Sequence, residues 1–236
     1  MKVVYTDDGG KLYVKNEAQD FHSKYGVLKK SQLEKKRAKT NKGVSVSIFD
    51  ACFIDKFEKI KRGAQIITLK DTGAIIANTG INKESVVIDA GSGSGALACA
   101  LAGIVKKVYT YDNRPEHIKV VKENIEFFGL KNIEVKLKDV YEGFPVKNAD
   151  LITLDLKEPW KCIGHAYDAL KLGGFLVAYC PNISQAQEFV NANNKFLLIK
   201  VIEVMERPWV IKEKIARPDY TPLGHTGFLT FMRKIK

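Results

Sequence analysis

Apolar positions along this 236-residue chain fall into two regimes. Over residues 1–48 they come in short pieces, Lys11-Leu12-Tyr13-Val14 and Val44-Ser45-Val46-Ser47-Ile48, broken by Gly9-Gly10, Gly26 and Gly43. Short alternating runs with glycine punctuation predict a small β-rich unit. The spacing then lengthens. Phe49, Cys52, Phe53, Phe57 and Ile60 recur at helical intervals behind Asp50 and predict a helix over 49–61. Asp71 opens a second helical piece that runs to residue 77. From residue 86 the pattern alternates, with strands predicted at 86–88, 108–111, 133–137, 151–154 and 175–179. Helices are predicted at 96–104, 116–128, 162–170 and 184–192. Such alternation builds a parallel sheet with helices on both faces. The last two strands, 197–205 and 227–232, have only a proline-rich loop between them, which predicts an antiparallel finish. The expected organisation is a small β-rich domain over 1–48 and an α/β domain over 49–236. The second domain would hold a Rossmann-like, seven-stranded, mostly parallel sheet with an antiparallel last strand.

The join between strand 86–88 and helix 96–104 reads Asp89-Ala90-Gly91-Ser92-Gly93-Ser94-Gly95-Ala96-Leu97. Glycines there let the backbone approach a ligand, and the helix start presents free N–H groups. Gly91-x-Gly93-x-x-Ala96 fits a loose dinucleotide fingerprint. Gly91-x-Gly93-x-Gly95 fits the loop of S-adenosylmethionine (SAM) methyltransferases equally well. The antiparallel finish favours the methyltransferase, since dehydrogenase sheets usually end in further parallel strands.

Ligands of an open α/β sheet sit beyond the C-terminal ends of its strands. Asp89 ends the first predicted strand and borders the glycine loop. Asp112 ends the second, at about the 20-residue spacing where a carboxylate meets ribose hydroxyls. Asp139 ends the third, at the adenine edge of a cofactor, and Asp155 ends the fourth, where a transferring methyl would lie. One aspartate of this kind is an ordinary cap or turn residue. Four in phase with the strands form a site. Asp155 opens Asp155-Leu156-Lys157-Glu158-Pro159-Trp160, in which a carboxylate beside a flat ring suits a purine bearing an exocyclic amine. Trp160 as a core residue at a helix start is the alternative.

Composition narrows the class. A 45% hydrophobic content is that of a globular chain. No apolar run reaches the ~18 residues of a membrane span. Met1-Lys2-Val3-Val4-Tyr5-Thr6-Asp7-Asp8 lacks a signal-peptide core, so a cytoplasmic protein is expected. Cys52, Cys99, Cys162 and Cys180 are scattered without a paired spacing, so neither a zinc site nor a disulfide framework is expected. The charge is less ordinary: 38 Lys and Arg against 27 Asp and Glu give +11. Part of that excess is the run Lys24, Lys29, Lys30, Lys35, Lys36, Arg37, Lys39 and Lys42, which points to a polyanionic partner.

At these residues the chain resembles the tRNA (adenine-N1)-methyltransferase family. Four segments carry the resemblance: Lys61-Arg62-Gly63-Ala64-Gln65-Ile66-Ile67 with Lys70-Asp71, the glycine loop, Asp155 to Trp160, and Arg217-Pro218 with Gly224-His225-Thr226-Gly227-Phe228-Leu229-Thr230. The resemblance implies methyl transfer from SAM to N1 of adenosine 58 in the tRNA T-loop, and in some archaeal members also adenosine 57. It implies Asp155 as the catalytic carboxylate, Asp112 at the ribose, and Asp139 with Val140 at the cofactor adenine. Leu69, Ala96, Leu97 and His117 would touch SAM, and a homotetramer is expected. Thr68 stands where the family often has an aromatic or His, Leu69 where it has Pro or Ser, and Lys157 where a Pro often follows Asp-Leu, so 57 versus 58 stays open. The alternatives are a class I methyltransferase acting on a small molecule or protein carboxyl group, and a non-catalytic tRNA-binding subunit.

Overall fold

Valines and isoleucines at the N-terminus pair into strands before any helix begins. Strands β1 (Lys2–Thr6) and β2 (Lys11–Val14) form a hairpin, followed by the hairpin of β3 (Phe21–Ser23) and β4 (Gly26–Leu28). Strand β5 (Arg37–Lys39) and β6 (Ser45–Asp50) complete an antiparallel sheet of order β2-β1-β6-β5. Its core is Val4, Val14, Leu28, Leu33, Val46 and Ile48. The helix expected over 49–61 is shorter, α1 (Phe53–Phe57), because Phe49 and Asp50 extend β6 opposite Val3 and Lys2 of β1. Strand pairing wins over helical periodicity at that junction.

The computed structural model describes residues 1–63 and 65–236, so Ala64 of the first resemblance segment lies outside the described residues. Two units emerge, Met1–Ile60 and Lys61–Lys236. In the second, the elements run α2 (Leu69–Thr79), β7 (Val86–Ala90), α3 (Ala96–Ala102), β8 (Lys107–Asp112), α4 (Pro115–Phe128) and β9 (Ile133–Leu137). Then come β10 (Ala149–Leu154), α5 (Ile163–Ala169), β11 (Leu170–Cys180), α6 (Ile183–Asn191) and β12 (Leu197–Glu203). A hairpin of β13 (Trp209–Lys212) and β14 (Ile215–Pro218) precedes the last strand, β15 (Phe228–Arg233).

The main sheet has seven strands in the order β12-β15-β11-β10-β7-β8-β9. Strands β7 to β11 pair in parallel, and β15 inserts antiparallel to both β11 and β12. Alternate residues of each strand feed opposite cores, as the two-residue side-chain period requires. Ile88, Ile152 and Leu176 pack with Ala166 of α5 and Phe189 of α6. Val87, Leu151 and Val177 pack with Ile75 of α2 and Leu101 of α3. No helix among the described residues is long and apolar enough to cross a membrane.

Candidate active site

Register places the site. Ala90 of β7 pairs with Tyr111 of β8 on one side and Leu154 of β10 on the other. Gly91, Asp112 and Asp155 come one residue later on each strand, so they meet at the same end of the sheet. The Asp155 N–H still donates to the Ala90 carbonyl at 2.9 Å, and the Gly91 and Ser92 N–H groups to the Tyr111 carbonyl at 2.9 and 3.0 Å. Gly91 has φ 91, and a Cβ there would sit 2.1 Å from the main-chain oxygen of Asp155. Only glycine lets the loop lie against that turn.

A cavity of about 540 Å³ opens over these ends. Asp112 is the organiser. It accepts from the Gly93 and Arg114 N–H groups at 3.0 Å each, and His117 Nδ1 lies 3.0 Å from its Oδ2. A carboxylate offers about four acceptor positions, so one remains for a ligand hydroxyl. Asp139 accepts from the N–H of Tyr141 at 2.9 Å, which sets its carboxylate at the cavity wall beside Val140. Asp155 is held by its backbone alone. Among the described residues no donor reaches its carboxylate, whose acceptor capacity faces the cavity. Burial, reinforced by the charges of Asp89 and Asp112, pushes its pKa up to about 7.

Of the expected contacts, Gly91, Gly93, Asp112, His117, Asp139, Val140 and Asp155 come together around this cavity. Leu69, Asp89, Gly95, Ala96 and Leu97 do not line it. For Asp89 the reason is strand length. Strand β7 runs on to Ala90, so Asp89 sits inside the sheet, 1% exposed, on the face covered by α3. Its rung neighbours Thr110 and Thr153 donate to it from both sides, at 2.8 and 3.0 Å. Burial still raises its pKa to about 6. Ala96 and Leu97 are buried in α3, Gly95 lies under Val121 of α4, and Leu69 begins α2. Trp160 packs against the core beside α5 and α6 rather than on the cavity, where the aromatic residues are Tyr111, Tyr141 and Tyr179.

Sequence reasoning passed over Asn113, Arg114, Tyr141, Leu156 and Pro181, all cavity residues. Each stands within two residues of a strand end or an acidic site residue, and that proximity was the available signal.

The C-terminal signature closes one side. Lys70, its side chain 4% exposed, donates to Asp71 at 2.9 Å, to the Val204 carbonyl at 2.6 Å and to the Thr226 hydroxyl at 2.6 Å. The Tyr179 hydroxyl donates to the Thr226 carbonyl at 2.5 Å, and a Cβ at Gly227 would strike the Tyr179 ring at 2.5 Å. Thr226 thereby reaches the cavity wall. His225 is structural: Nε2 donates to the Pro181 carbonyl at 2.8 Å and Nδ1 bonds the Glu203 carboxylate, tying the lead into β15 to β11 and β12. Glu203, then Pro181, raises its pKa.

The cavity fits SAM. The Asp155 carboxylate lies in the field of Asp112, where a sulfonium cation would offset their repulsion, the glycine loop leaves a cradle that a Cβ would fill, and Asp112 keeps a free acceptor for a ribose.

Comparison with known proteins agrees. The family described as tRNA methyltransferase complex GCD14 subunit matches residues 58–218. The tRNA (adenine(57)-N(1)/adenine(58)-N(1))-methyltransferase TrmI of Methanocaldococcus jannaschii is 33% identical, over 96% of this chain and 93% of its own. Among solved structures, a SAM-dependent O-methyltransferase from Thermotoga maritima superposes with TM-score 0.89 at 28% identity, covering 100% of this chain and 92% of that one. The tRNA (m1A58) methyltransferase TrmI of Aquifex aeolicus superposes with TM-score 0.85 at 24% identity, covering 100% and 96%. The fold is that of the class I SAM methyltransferases, with an added N-terminal β-rich unit. By the family match and by the extent of its identity to the M. jannaschii protein, the chain belongs to the tRNA (adenine-N1)-methyltransferase family.

Proposed function

We propose that this chain transfers the methyl group of SAM to N1 of adenosine 58 in the tRNA T-loop, with adenosine 57 the second candidate acceptor. The observation that carries this reading is the Asp155 carboxylate, on the cavity wall beside the glycine loop and free of protein donors among the described residues. When bound, SAM supplies an electrophilic sulfonium methyl, and a neutral adenine N1 needs no deprotonation to attack it. Asp155 accepts a hydrogen bond from the exocyclic amine, which selects adenine over guanine and offsets the positive charge that develops on the ring. Asp112 holds the cofactor ribose, Asp139 and Val140 its adenine. What the protein contributes is alignment and charge.

An ionised Asp155 is the competent form. With its pKa near 7, kcat/KM for SAM should rise about tenfold per pH unit below 7 and level off above. Asp155→Asn should flatten that limb. A wild-type profile that is level from about pH 5.5 to 8.5 would contradict the assignment.

N1 lies on the Watson–Crick edge, so the base must leave its stack at a cost of a few kcal/mol. Phosphate contacts can supply it. The run from Lys24 to Lys42 stands exposed on the N-terminal unit, as does Arg37 within it. Affinity for tRNA should fall at least about 100-fold between about 50 and 200 mM salt, measured by filter binding, and a flat response would remove the charged run from recognition.

The homotetramer and a cytoplasmic location are part of the same proposal. Edge strand β12 exposes Leu197, Leu198, Ile199 and Val201, and the β13–β14 hairpin exposes Trp209 and Ile211. An apolar edge with unpaired backbone groups favours contact with further copies of the chain.

The test is where label from methyl-labelled SAM goes when unmodified tRNA, cellular protein and small acids are offered together. Label in tRNA supports the proposal. Alkali-labile label in protein or small acids favours the O-methyltransferase reading that the Thermotoga relative's description suggests.

A further inference from the structure

The turn Asp155-Leu156-Lys157-Glu158 divides two spaces. The whole turn borders the cavity already described, and Asp155, Leu156 and Lys157 also line a second cavity of about 530 Å³ with Asn182, the cap of α6, and Ser184, Gln185 and Glu188 of that helix. Beyond the Asp155 N–H the turn has left the sheet, and side chains from two directions hold it. The Tyr141 hydroxyl accepts from the Glu158 N–H at 3.1 Å. From α6, Gln185 Nε2 donates to the Leu156 carbonyl at 3.1 Å and to the Lys157 carbonyl at 2.7 Å. Those two carbonyls fix which way the amide points, since a flipped amide would set oxygen against oxygen. The orientation leaves Gln185 Oε1 buried without a donor among the described residues. The amide is thereby committed to the turn through its two donors.

We propose that Gln185 is a positioning residue for methyl transfer, holding the two carbonyls that follow Asp155 so that its carboxylate stays at the junction of the two cavities. Misplacement of a reacting partner by about 1 Å costs on the order of 100-fold in rate. The Asp155 carboxylate depends on its own turn for placement, since no side-chain donor among the described residues reaches it. This inference rests on the methyl-transfer reading above and deepens it.

Gln185→Met keeps length and loses both donors, and Gln185→Glu turns acceptors toward the two carbonyls. Single-turnover transfer to tRNA should fall about 10- to 100-fold in Gln185→Met and further in Gln185→Glu. SAM and tRNA affinities should hold within about twofold, while the loss of two hydrogen bonds lowers the unfolding midpoint by only a few degrees. A second readout needs no tRNA: the titration of Asp155 by NMR of enzyme carrying 13C-labelled aspartate. The groups acting on that carboxyl are Asp89 on β7, Asp112 on β8, and Tyr179 and Cys180 on β11, while Lys157 and Glu158 of its own turn and Glu188 of α6 line the two cavities with it. Wild-type Asp155 should titrate near pH 7, and Gln185→Met should bring it down toward the ordinary carboxylate range as the freed turn lets the carboxyl out of its buried position and away from Asp89 and Asp112.

Unchanged rate and titration would overturn the proposal. So would a parallel loss of SAM binding and stability, which would make Gln185 part of the fold and nothing more. If the wild-type enzyme methylates no tRNA, the functional reading fails by itself, and the titration still decides whether Gln185 sets Asp155.

Discussion

Asp155→Ala is expected to slow methyl transfer to tRNA by about 100- to 1,000-fold, the usual effect of removing one preorganised electrostatic group from a closed site. The same change should move the SAM dissociation constant by less than about fivefold, because the interaction lost is made in the transition state. The structural ground for the split is that Asp112 and Asp139, not Asp155, carry the network at the cofactor end. Asp112 is bonded to Gly93, Arg114 and His117, and Asp139 to Tyr141, whereas the Asp155 carboxylate has no side-chain anchor among the described residues. Asp155→Asn retains one acceptor without the charge and should fall between the two. Single-turnover kinetics with calorimetric SAM titration would measure both quantities. Near-wild-type turnover in Asp155→Ala would remove the residue from the chemistry. A SAM affinity loss as large as the rate loss would make it a cofactor ligand instead.

Gly91→Ala should be worse still for the cofactor. The new Cβ would lie 2.1 Å from a main-chain oxygen, which cannot swing aside as a flexible side chain would, and φ 91 is itself unfavourable to any L residue. The loop must lift off the Asp155 turn, opening the cradle and pulling on the Gly91 and Ser92 bonds to Tyr111. SAM binding weaker by at least about 100-fold and a lower unfolding midpoint are expected. Gly103→Ala is the control. Gly103 has φ −68 and open surroundings, with the nearest atom to its Cβ at 3.6 Å, so that substitution should leave SAM binding unchanged. Equal behaviour of the two variants would refute the close-approach account.

Much of the fold is written in periodicity. Strands β7 to β11 and the helices between them stand close to where alternation and helical spacing put them, because most of them bury the residues that carry the pattern; edge strand β9 leaves Leu137 exposed, and β11 starts at Leu170, five residues early. Lateral order is not written there. The antiparallel finish follows from the missing crossover helix, but the insertion of β15 between β11 and β12 depends on which neighbours bury Leu229 and Phe231. The β13–β14 hairpin escapes notice because it turns at Glu213, held at φ 51, with no Asn-Gly or Gly-containing turn to announce it. In the same way β6 takes Phe49 and Asp50 from the predicted helix through partners distant in sequence.

The site divides along similar lines. Asp112, Asp139 and Asp155 are legible because they stand where strands stop, and the cavity opens there. Asp89 lies one residue short of that end: β7 runs on to Ala90, and the Asp89 carboxylate meets the Thr110–Thr153 rung inside the sheet. Residues that hold the acids in place, such as Tyr141 and Gln185, carry no motif at all. Their roles exist only once loops from separate strands are folded against each other.

Mapping the product shows where on tRNA the methyl group lands. Labelled SAM would be incubated with three unmodified transcripts, one natural, one with adenosine 58 replaced by guanosine, and one with adenosine 57 so replaced. The predicted result is N1-methyladenosine at position 58 of the natural transcript, lost when adenosine 58 is replaced, with the third transcript showing whether adenosine 57 also accepts the methyl group. SAM binding without any N1-methyladenosine, or label that persists when adenosine 58 is gone and adenosine 57 is unmodified, would contradict it.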